Sequence, residues 1–186
     1  MKRTLIAGIA AVLMIAVSAC GGGSSSGGSA SSAQDAKASK AISDAIMSGQ
    51  KSGQSKIITV KKSDADCIGK GLVDKVGTDQ LKKYGVLTKS LKTNKDLTQV
   101  KMSTNDATSA ADVMSGCTDL KGMMSQALNA QLASMPTAVK NCINNALTES
   151  RLHDVFVKVF EGKTKQAGTE FSGPMQKCAM KATQQQ

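Results

Sequence analysis

Five cysteines carry most of the chemistry that this sequence offers. Cys20 stands alone at the end of an apolar run, whereas the other four lie in segments of helical periodicity, at Cys67, Cys117, Cys142 and Cys178. No Cys-x-x-Cys occurs, so the spacing supports neither a zinc knuckle nor a thioredoxin-type redox pair. Cysteines on the apolar helical faces of an exported protein are typically joined in disulfides. We therefore expect two disulfide bonds.

Geometry excludes one of the three ways to pair these four cysteines. If the helices on either side of Met135-Pro136 form an antiparallel hairpin, Cys117 lies roughly 25 Å from the turn and Cys142 only roughly 9 Å. A disulfide needs Cα atoms within ~7 Å, which excludes Cys117–Cys142. Short internal sequence echoes favour Cys67–Cys117 with Cys142–Cys178 over Cys67–Cys142 with Cys117–Cys178, and the second pairing remains the alternative.

The single histidine, His153, is the one candidate for a general base. Asp154 follows it directly, and adjacent helical residues point about 100° apart, so Asp154 is poorly placed to orient the imidazole. No Gly-x-Ser-x-Gly motif occurs, and paired cysteines leave no thiolate nucleophile. We therefore expect no enzyme activity and no catalytic residue, with an envelope hydrolase around His153 as the weaker alternative.

Methionine offers the remaining candidate ligands. The chain holds ten methionines, and eight of them follow residue 20. Thioether sulfur suits Cu(I), but no Met-x-x-Met box is present, and methionine at helical spacing usually fills a core. We expect no metal and no cofactor. A Met-lined gap between helices that carries a lipid or a metal is the alternative function.

The positive charge of the chain is concentrated in one stretch. Residues 51–101 hold twelve Lys against five Asp, a net charge of +7, whereas residues 102–186 hold eight Lys or Arg against seven Asp or Glu. Because these lysines are scattered, an ordinary solvated surface explains the stretch best, and contact with anionic lipid or an anionic wall polymer is the alternative. The candidate contacts are Lys56, Lys61, Lys62, Lys82 and Lys83.

Aromatic residues are nearly absent, with one Tyr, three Phe and no Trp. Single-stranded nucleic-acid sites, like sugar-binding platforms, rely on stacking against exposed aromatic faces. We therefore expect neither nucleic acid nor carbohydrate as a partner.

The first twenty residues predict export. Met1-Lys2-Arg3 precedes a 13-residue apolar segment from Leu5 to Val17, which is shorter than the ~20 residues of a transmembrane helix and typical of a secretory signal. Val17-Ser18-Ala19-Cys20 resembles the lipobox of bacterial lipoproteins. The resemblance implies that residues 1–19 are a signal peptide, that it is removed, and that a diacylglyceryl group is attached to the Cys20 thiol.

The segment after Cys20 predicts a linker. Residues 21–33 contain only Gly, Ser and Ala, so we expect residues 20–33 to form a lipidated, flexible tether spanning roughly 20 Å. Residues 34–186 then form one extracytoplasmic domain. A signal, a lipobox, a Gly/Ser spacer and a small four-cysteine domain together resemble uncharacterised lipoproteins of actinobacteria, and imply a lipid-anchored location at the cell membrane without implying an activity.

Apolar periodicity predicts a mostly all-α, small disulfide-bonded domain. In the first half we expect helices over Asp35–Ser48 and Thr78–Tyr84, and between them one that is capped by Ser63 with Asp66. A longer helix should run from Ser103 or Thr104 through Leu132 and bend near Gly116 and Gly122. Three more helices should follow Pro136, the last with Pro174 near its start.

Two β-prone pieces, Lys56–Val60 and Leu97–Met102, suggest a short two-stranded ribbon. Ile58–Ser63 also echoes Thr98–Ser103, and each leads into a helix with a cysteine. Duplication of a helical unit and chance similarity both account for this echo. Taken together, the patterns predict a membrane-anchored, non-enzymatic helical domain that binds or scaffolds another component of the cell envelope.

Overall fold

Eight helices make up the part of the chain that the structure describes, a computed structural model covering residues 29–51, 60–94, 100–133 and 135–183. They are α1 (Ser29–Lys51), α2 (Lys62–Val76), α3 (Thr78–Lys83), α4 (Thr104–Cys117), α5 (Leu120–Gln131), α6 (Thr137–Ala146), α7 (Glu149–Phe160) and α8 (Thr164–Thr183). These residues contain no strand, and an isolated antiparallel bridge joins Leu87 to Thr93. The predicted all-α class is confirmed.

Helices α1, α2 and α4 run alternately up and down. Near the start of α1, Asp35 accepts a hydrogen bond of 2.5 Å from Thr78, which begins α3, and near its end Gln50 bonds the backbone of Val60 just before α2. These contacts at both ends make α1 and α2 antiparallel. The Cys67–Cys117 disulfide then joins the second turn of α2 to the last residue of α4, so α2 and α4 are antiparallel as well.

Two glycines bring α2 close to its neighbours on both sides. A Cβ atom on Gly69 would lie 2.3 Å from the backbone carbonyl oxygen of Ser39 in α1, and one on Gly71 would lie 2.6 Å from the side chain of Val113 in α4. Glycine in a helix interior costs about 0.5–1 kcal/mol relative to alanine. Close packing of α2 against α1 and α4 offsets that cost.

The second half of the chain packs onto α4 through α7. Thr104 at the start of α4 donates a 2.7 Å hydrogen bond to Glu161 at the end of α7, and Met102 N–H donates to the Phe160 carbonyl, so α4 and α7 are antiparallel. Helix α8 then returns alongside α7, where Lys158 forms an ion pair with Glu170. Helix α6 packs on α8 through Val139, Ile143 and Cys178.

The largest hydrophobic core lies among α1, α2, α3 and α4. Ile68, Leu81 and Leu87 are at most 2 % exposed, and Val157 and Phe160 of α7 pack against this core. Two smaller clusters lie in the second half, one around Leu120, Leu147 and Leu152 and the other around Val139, Ile143 and Cys178.

All four downstream cysteines are joined in disulfides. Cys67 bonds Cys117 with a Cα separation of 5.6 Å, and Cys142 bonds Cys178 with a Cα separation of 5.7 Å. The expected presence of disulfides is confirmed, in the pairing that the internal echoes favour. Each half of the fold therefore has one covalent link between two of its helices, which typically stabilises a small domain by about 2–4 kcal/mol.

Two predicted helix starts are wrong. Helix α1 begins at Ser29, so residues 29–33 are helical rather than part of the linker. Alanine is the strongest helix former, and extending an existing helix avoids the cost of nucleation. Helix α2 begins at Lys62, and Ser63 does not cap it. The carboxylate of Asp66 is instead held by Lys62 and by Ser43 of α1.

The second half contains two further differences from prediction. The long predicted helix is two helices, because Asp119 caps α5 by accepting a 2.8 Å hydrogen bond from Gly122 N–H. Pro174 lies inside α8 rather than near its start. Contacts on both sides of Pro174 hold the helix: Glu170 pairs with Lys158 before it, and Cys178 is joined to α6 after it.

Candidate functional site

Several helix ends meet at one end of the bundle, which we call the α3 end. It comprises residues 78–94, 100–106 and 161–165 together with the start of α1. The Tyr84 hydroxyl donates a 2.5 Å hydrogen bond to Asp106 in the first turn of α4 and accepts one from Ser103 N–H. With the Asp35–Thr78 and Thr104–Glu161 hydrogen bonds, these contacts place α1, α3, α4 and α7 together at this end.

A short loop after α3 adds two exposed lysines to the same end. Val86 N–H bonds the Leu81 carbonyl of α3, and Asn94 N–H bonds the Val86 carbonyl, so residues 86–94 fold back on α3. Leu91 is buried at 7 % exposure and adopts a φ of 60°, a conformation that is unfavourable for leucine. This turn leaves Lys89 and Lys92 exposed.

The α3 end is strongly basic. Its three ranges contain seven lysines and three acids, a net charge of +4: Lys82, Lys83, Lys89, Lys92, Lys101, Lys163 and Lys165 against Asp79, Asp106 and Glu161. The first turns of α1 add Asp35 and Lys37, which cancel. Lys82 pairs with Asp79, and Lys163 pairs with Glu161. Within the described part of the chain the other five lysines have no ion-pair partner, and all five are exposed.

The opposite end of the bundle has a balanced charge. We call it the α5 end; it comprises residues 60–66, 117–121 and 148–151, which the Cys67–Cys117 disulfide and the packing of α4 on α7 bring together. Four bases and four acids lie in these ranges, a net charge of zero: Lys61, Lys62, Lys121 and Arg151 against Asp64, Asp66, Asp119 and Glu149. The basic character of the molecule is therefore concentrated at the α3 end.

The structure divides the lysines that the sequence proposed as anionic-surface contacts. Lys61 and Lys62 lie at the α5 end, whereas Lys82 and Lys83 lie at the α3 end. The fifteen residues of α2 separate the two pairs by roughly 22 Å. Lys56 lies outside the described residues, as does Cys20. The four placed lysines therefore form two separate pairs rather than one compact cluster.

Hydrogen bonds favour the ionised form of Glu161 at the α3 end and of Asp66 at the α5 end. The hydroxyl of Thr104 and then the ammonium of Lys163 hold the pKa of Glu161 below its ordinary value. At the α5 end, Lys62 and then Ser43 lower the pKa of Asp66 in the same way. Both carboxylates stay charged at neutral pH, so the excess positive charge at the α3 end comes from its unpaired lysines.

A second feature is a methionine-rich cluster between the helices of the second half. Half-buried side chains surround Leu120, Leu147 and Leu152, and come from α4, α5, α7 and α8: Met114, Met123, Met124, Leu128, Phe156, Phe171 and Met175. A cavity of about 260 Å³ adjoins this cluster, and Leu120, Leu152, Thr118 and Glu149 are among the residues that line it.

His153 bridges two helices. Its Nε2 atom lies 2.9 Å from Asp112 Oδ1 in α4, and its Nδ1 atom lies 3.7 Å from Asp154. Only the Asp112 contact is within hydrogen-bond distance, so the orienting acid is Asp112 rather than the adjacent Asp154. This geometry supports a role in holding α7 on α4.

Sequence reasoning missed most of the α3 end. Lys89, Lys92 and Lys101 lie in the basic stretch, but Lys163 and Lys165 come from a distant segment whose own net charge is close to neutral. The local signal was the excess of lysine over residues 51–101. Only the antiparallel packing of α7 on α4 brings the remaining lysines to the same end.

Within the described ranges, no helix is long and apolar enough to cross a membrane, and no group of three or more His, Cys, Asp or Glu side chains is arranged to hold a metal ion. No protein-family profile, curated protein or solved structure matches the chain.

Proposed function

We propose that this protein is a membrane-anchored lipoprotein, held by a lipid on Cys20, whose non-enzymatic helical domain binds or scaffolds another component on the extracytoplasmic face of the cell membrane. Val17-Ser18-Ala19-Cys20 supplies the site of lipidation and cleavage. Two acyl chains give stable anchoring, whereas one gives only marginal, reversible binding.

The observation that carries this proposal is the pairing of the cysteines. The chain has five cysteines, and the two disulfides use Cys67 with Cys117 and Cys142 with Cys178. Cys20 is therefore left without an intrachain cysteine partner and with its thiol available for lipid. Two disulfides in a domain of this size also favour an oxidising compartment outside the cytoplasm.

The geometry around His153 supports a binding role over catalysis. A general base needs one nitrogen directed at a nucleophile or a substrate, with the other held by an acid. Here Nε2 is held by Asp112, Nδ1 lies 3.7 Å from the carboxylate of Asp154, and within the described residues no hydroxyl or thiol hydrogen-bonds either nitrogen. The chemistry that the surface offers is electrostatic, through the exposed lysines of the α3 end.

Metabolic labelling with an alkyne fatty acid tests the anchor. We expect label in the wild-type protein and its recovery in the membrane fraction, and we expect Cys20→Ser to lose the label and to alter fractionation. The matched control is Cys67→Ser with Cys117→Ser, which removes two other cysteines and should keep the label. Unlabelled wild-type protein, with fractionation unchanged in Cys20→Ser, would show that the anchor is absent.

A second candidate function is the transport or storage of an apolar ligand in the methionine-rich cluster. The half-buried methionines pack with leucine and phenylalanine side chains around Leu120, Leu147 and Leu152. Leu120 and Leu152 of this cluster also line the neighbouring cavity of about 260 Å³, whose other lining residues are polar or charged. Methionine adapts to irregular apolar ligands, so these neighbours favour a lipid chain over Cu(I).

Native mass spectrometry of the protein purified from its host distinguishes this candidate. A lipid carrier shows a co-purifying mass of lipid size, and a metal carrier a mass of one metal ion. The Met123→Gln, Met124→Gln double variant should lose that mass, whereas Met47→Gln, a half-buried methionine on α1, should keep it. An apo mass for the wild-type protein would contradict the carrier function.

A further inference from the structure

The two ends of the bundle differ in charge, and the chain enters the fold at the basic one. Helix α1 begins at Ser29, and Asp35 in its second turn bonds Thr78 at the α3 end. Because α1 is antiparallel to α2, the residues that precede Asp35 lie on the α3 side rather than the α5 side. A tether attached to the start of α1 therefore pulls on the α3 end.

The length of the intervening chain limits how far this end can lie from an anchor. Eight residues, 21–28, separate Cys20 from Ser29. At ~3.5 Å per residue they span at most about 28 Å even when fully extended. A lipid on Cys20 would thus keep the α3 end within a few tens of ångströms of the headgroups, and the α5 end lies roughly 22 Å further away when α2 stands along the membrane normal.

We propose that the α3 end is a docking surface for anionic phospholipid headgroups, with Lys83, Lys89, Lys92 and Lys101 as the main contacts and Lys165 beside them. This inference rests on the proposed anchor, which supplies the proximity. It also revises the sequence-based set of contacts, since Lys61 and Lys62 lie at the far end of the bundle.

The charge distribution suits a flat anionic partner. These five lysines are exposed and unpaired among the described residues, and they come from four separate segments at one end of the molecule. Electrostatic attraction to a bilayer decays over about 8 Å at physiological salt, so a lysine contributes only when it lies close to the surface. The lysines of the α5 end do not meet that condition while the α3 end faces the bilayer.

Lysine footprinting of the mature protein, purified from its host and incorporated into vesicles, tests the proposal. A water-soluble acetylating reagent is applied with vesicles that contain about 30 % phosphatidylglycerol and with pure phosphatidylcholine vesicles. We expect acetylation of Lys83, Lys89, Lys92 and Lys101 to fall severalfold with the anionic vesicles alone, and to return in about 0.5 M salt. Acetylation of Lys61, Lys121 and Lys177 should not change between the two vesicles.

Matched triple variants separate the surface from net charge. Binding to phosphatidylglycerol vesicles is measured with the mature chain carrying Cys20→Ser, which has no lipid. Adding the three substitutions Lys83→Gln, Lys89→Gln and Lys92→Gln should weaken this binding by about a hundredfold, since each lysine near an anionic surface contributes about fivefold. The control variant carries Lys61→Gln, Lys121→Gln and Lys177→Gln, which remove the same charge from exposed positions elsewhere. Its binding to the vesicles should be nearly unchanged.

Three outcomes overturn the proposal. Equal protection of both lysine sets excludes an oriented surface, and equal protection in neutral vesicles excludes anionic headgroups. Protection by soluble polyphosphate without protection by the vesicles assigns the α3 end to a free anionic polymer instead. The intact mass of the same sample reports whether Cys20 carries a lipid, so failure of the anchor is recognised separately from failure of the surface.

Discussion

At the scale of single residues, Asp66 connects α2 to α1. Its carboxylate accepts a 2.5 Å hydrogen bond from Ser43, which is 2 % exposed on α1, and an ammonium hydrogen bond from Lys62 on α2. These contacts hold the pKa of Asp66 below its ordinary value, Lys62 having the larger effect. The ionised form is therefore the one that stabilises the native state.

The sign of this shift predicts how stability depends on pH. A carboxyl with a lowered folded-state pKa contributes its stability above its ordinary pKa of about 3.9, and loses it as the pH falls through the lowered value. We expect Asp66→Asn, which keeps an acceptor for Ser43 but loses the charge, to be less stable than wild type at pH 7 and equally stable at an acid pH below the lowered pKa. Urea unfolding at both pH values measures this.

The control for Asp66 is Asp74→Asn on the same helix. Within the described part of the chain, the only ion pair of Asp74 is with the exposed Lys70 one turn away, so its replacement should change stability less at pH 7. A difference between Asp66→Asn and wild type that persists unchanged into acid would contradict the role of the charge.

The two disulfides differ in exposure, which predicts the order of their reduction. Cys67 is exposed, whereas Cys178 is 4 % exposed and packed among Val139 and Ile143. Thiol exchange requires access of the attacking thiolate to a sulfur. We expect a mild thiol reductant to open Cys67–Cys117 first, as measured by alkylation of the freed thiols and peptide mass spectrometry. Earlier opening of Cys142–Cys178 would contradict the described burial.

At the scale of elements, α2 is the central helix of the first half. Its glycines face two neighbours, Gly69 against the backbone of Ser39 and Gly71 against Val113. Backbone atoms cannot move aside as a flexible side chain can. The approach of α1 to α2 therefore depends on the absence of a side chain at residue 69.

We expect Gly69→Ala to destabilise the fold by about 1–3 kcal/mol, since the new methyl group would overlap the Ser39 carbonyl. The matched control is Gly116→Ala in α4, where a Cβ atom would meet nothing within 4 Å. That substitution should stabilise by up to ~1 kcal/mol through helix propensity. Thermal unfolding of both variants measures the contrast, and a neutral or stabilised Gly69→Ala would contradict the close contact.

Helices that bury a clear apolar stripe were predictable from sequence, because burial enforces the 3.6-residue period. Helix α7 shows this well: Leu152 is 3 % exposed, Phe156 packs in the same cluster, and Phe160 packs against the larger core, all on the predicted stripe. The start of α4 was also predictable, since Ser103 accepts a hydrogen bond from Asp106 N–H in the expected cap.

Two of the wrong boundaries, the starts of α2 and α8, have a common physical cause, which is competition from partners distant in sequence. Asp66 was expected to cap α2 locally but bonds Ser43, which lies 23 residues away. The first ten residues of α8 carry two glycines and precede a proline, and they are helical because Ala167 is buried and Glu170 pairs with α7. Local pattern contains no information about these contacts.

At the scale of the whole molecule, the charge difference between the two ends follows from topology. No single segment outside residues 51–101 is notably basic, yet Lys163 and Lys165 join the α3 end because α7 ends beside the start of α4. The sequence therefore predicted that the candidate surface would be rich in lysine, but it did not predict where on the fold that surface lies. The lysine pairs singled out from sequence lie at opposite ends of α2.

The measurement that tests the central claim most directly is the mass of the N-terminal peptide of the protein isolated from its host membranes. The account predicts a mature chain that begins at Cys20 and carries a thioether-linked diacylglyceryl group, with the other four cysteines in two disulfides. A mature chain that begins elsewhere, or a Cys20 that carries no lipid, would contradict it.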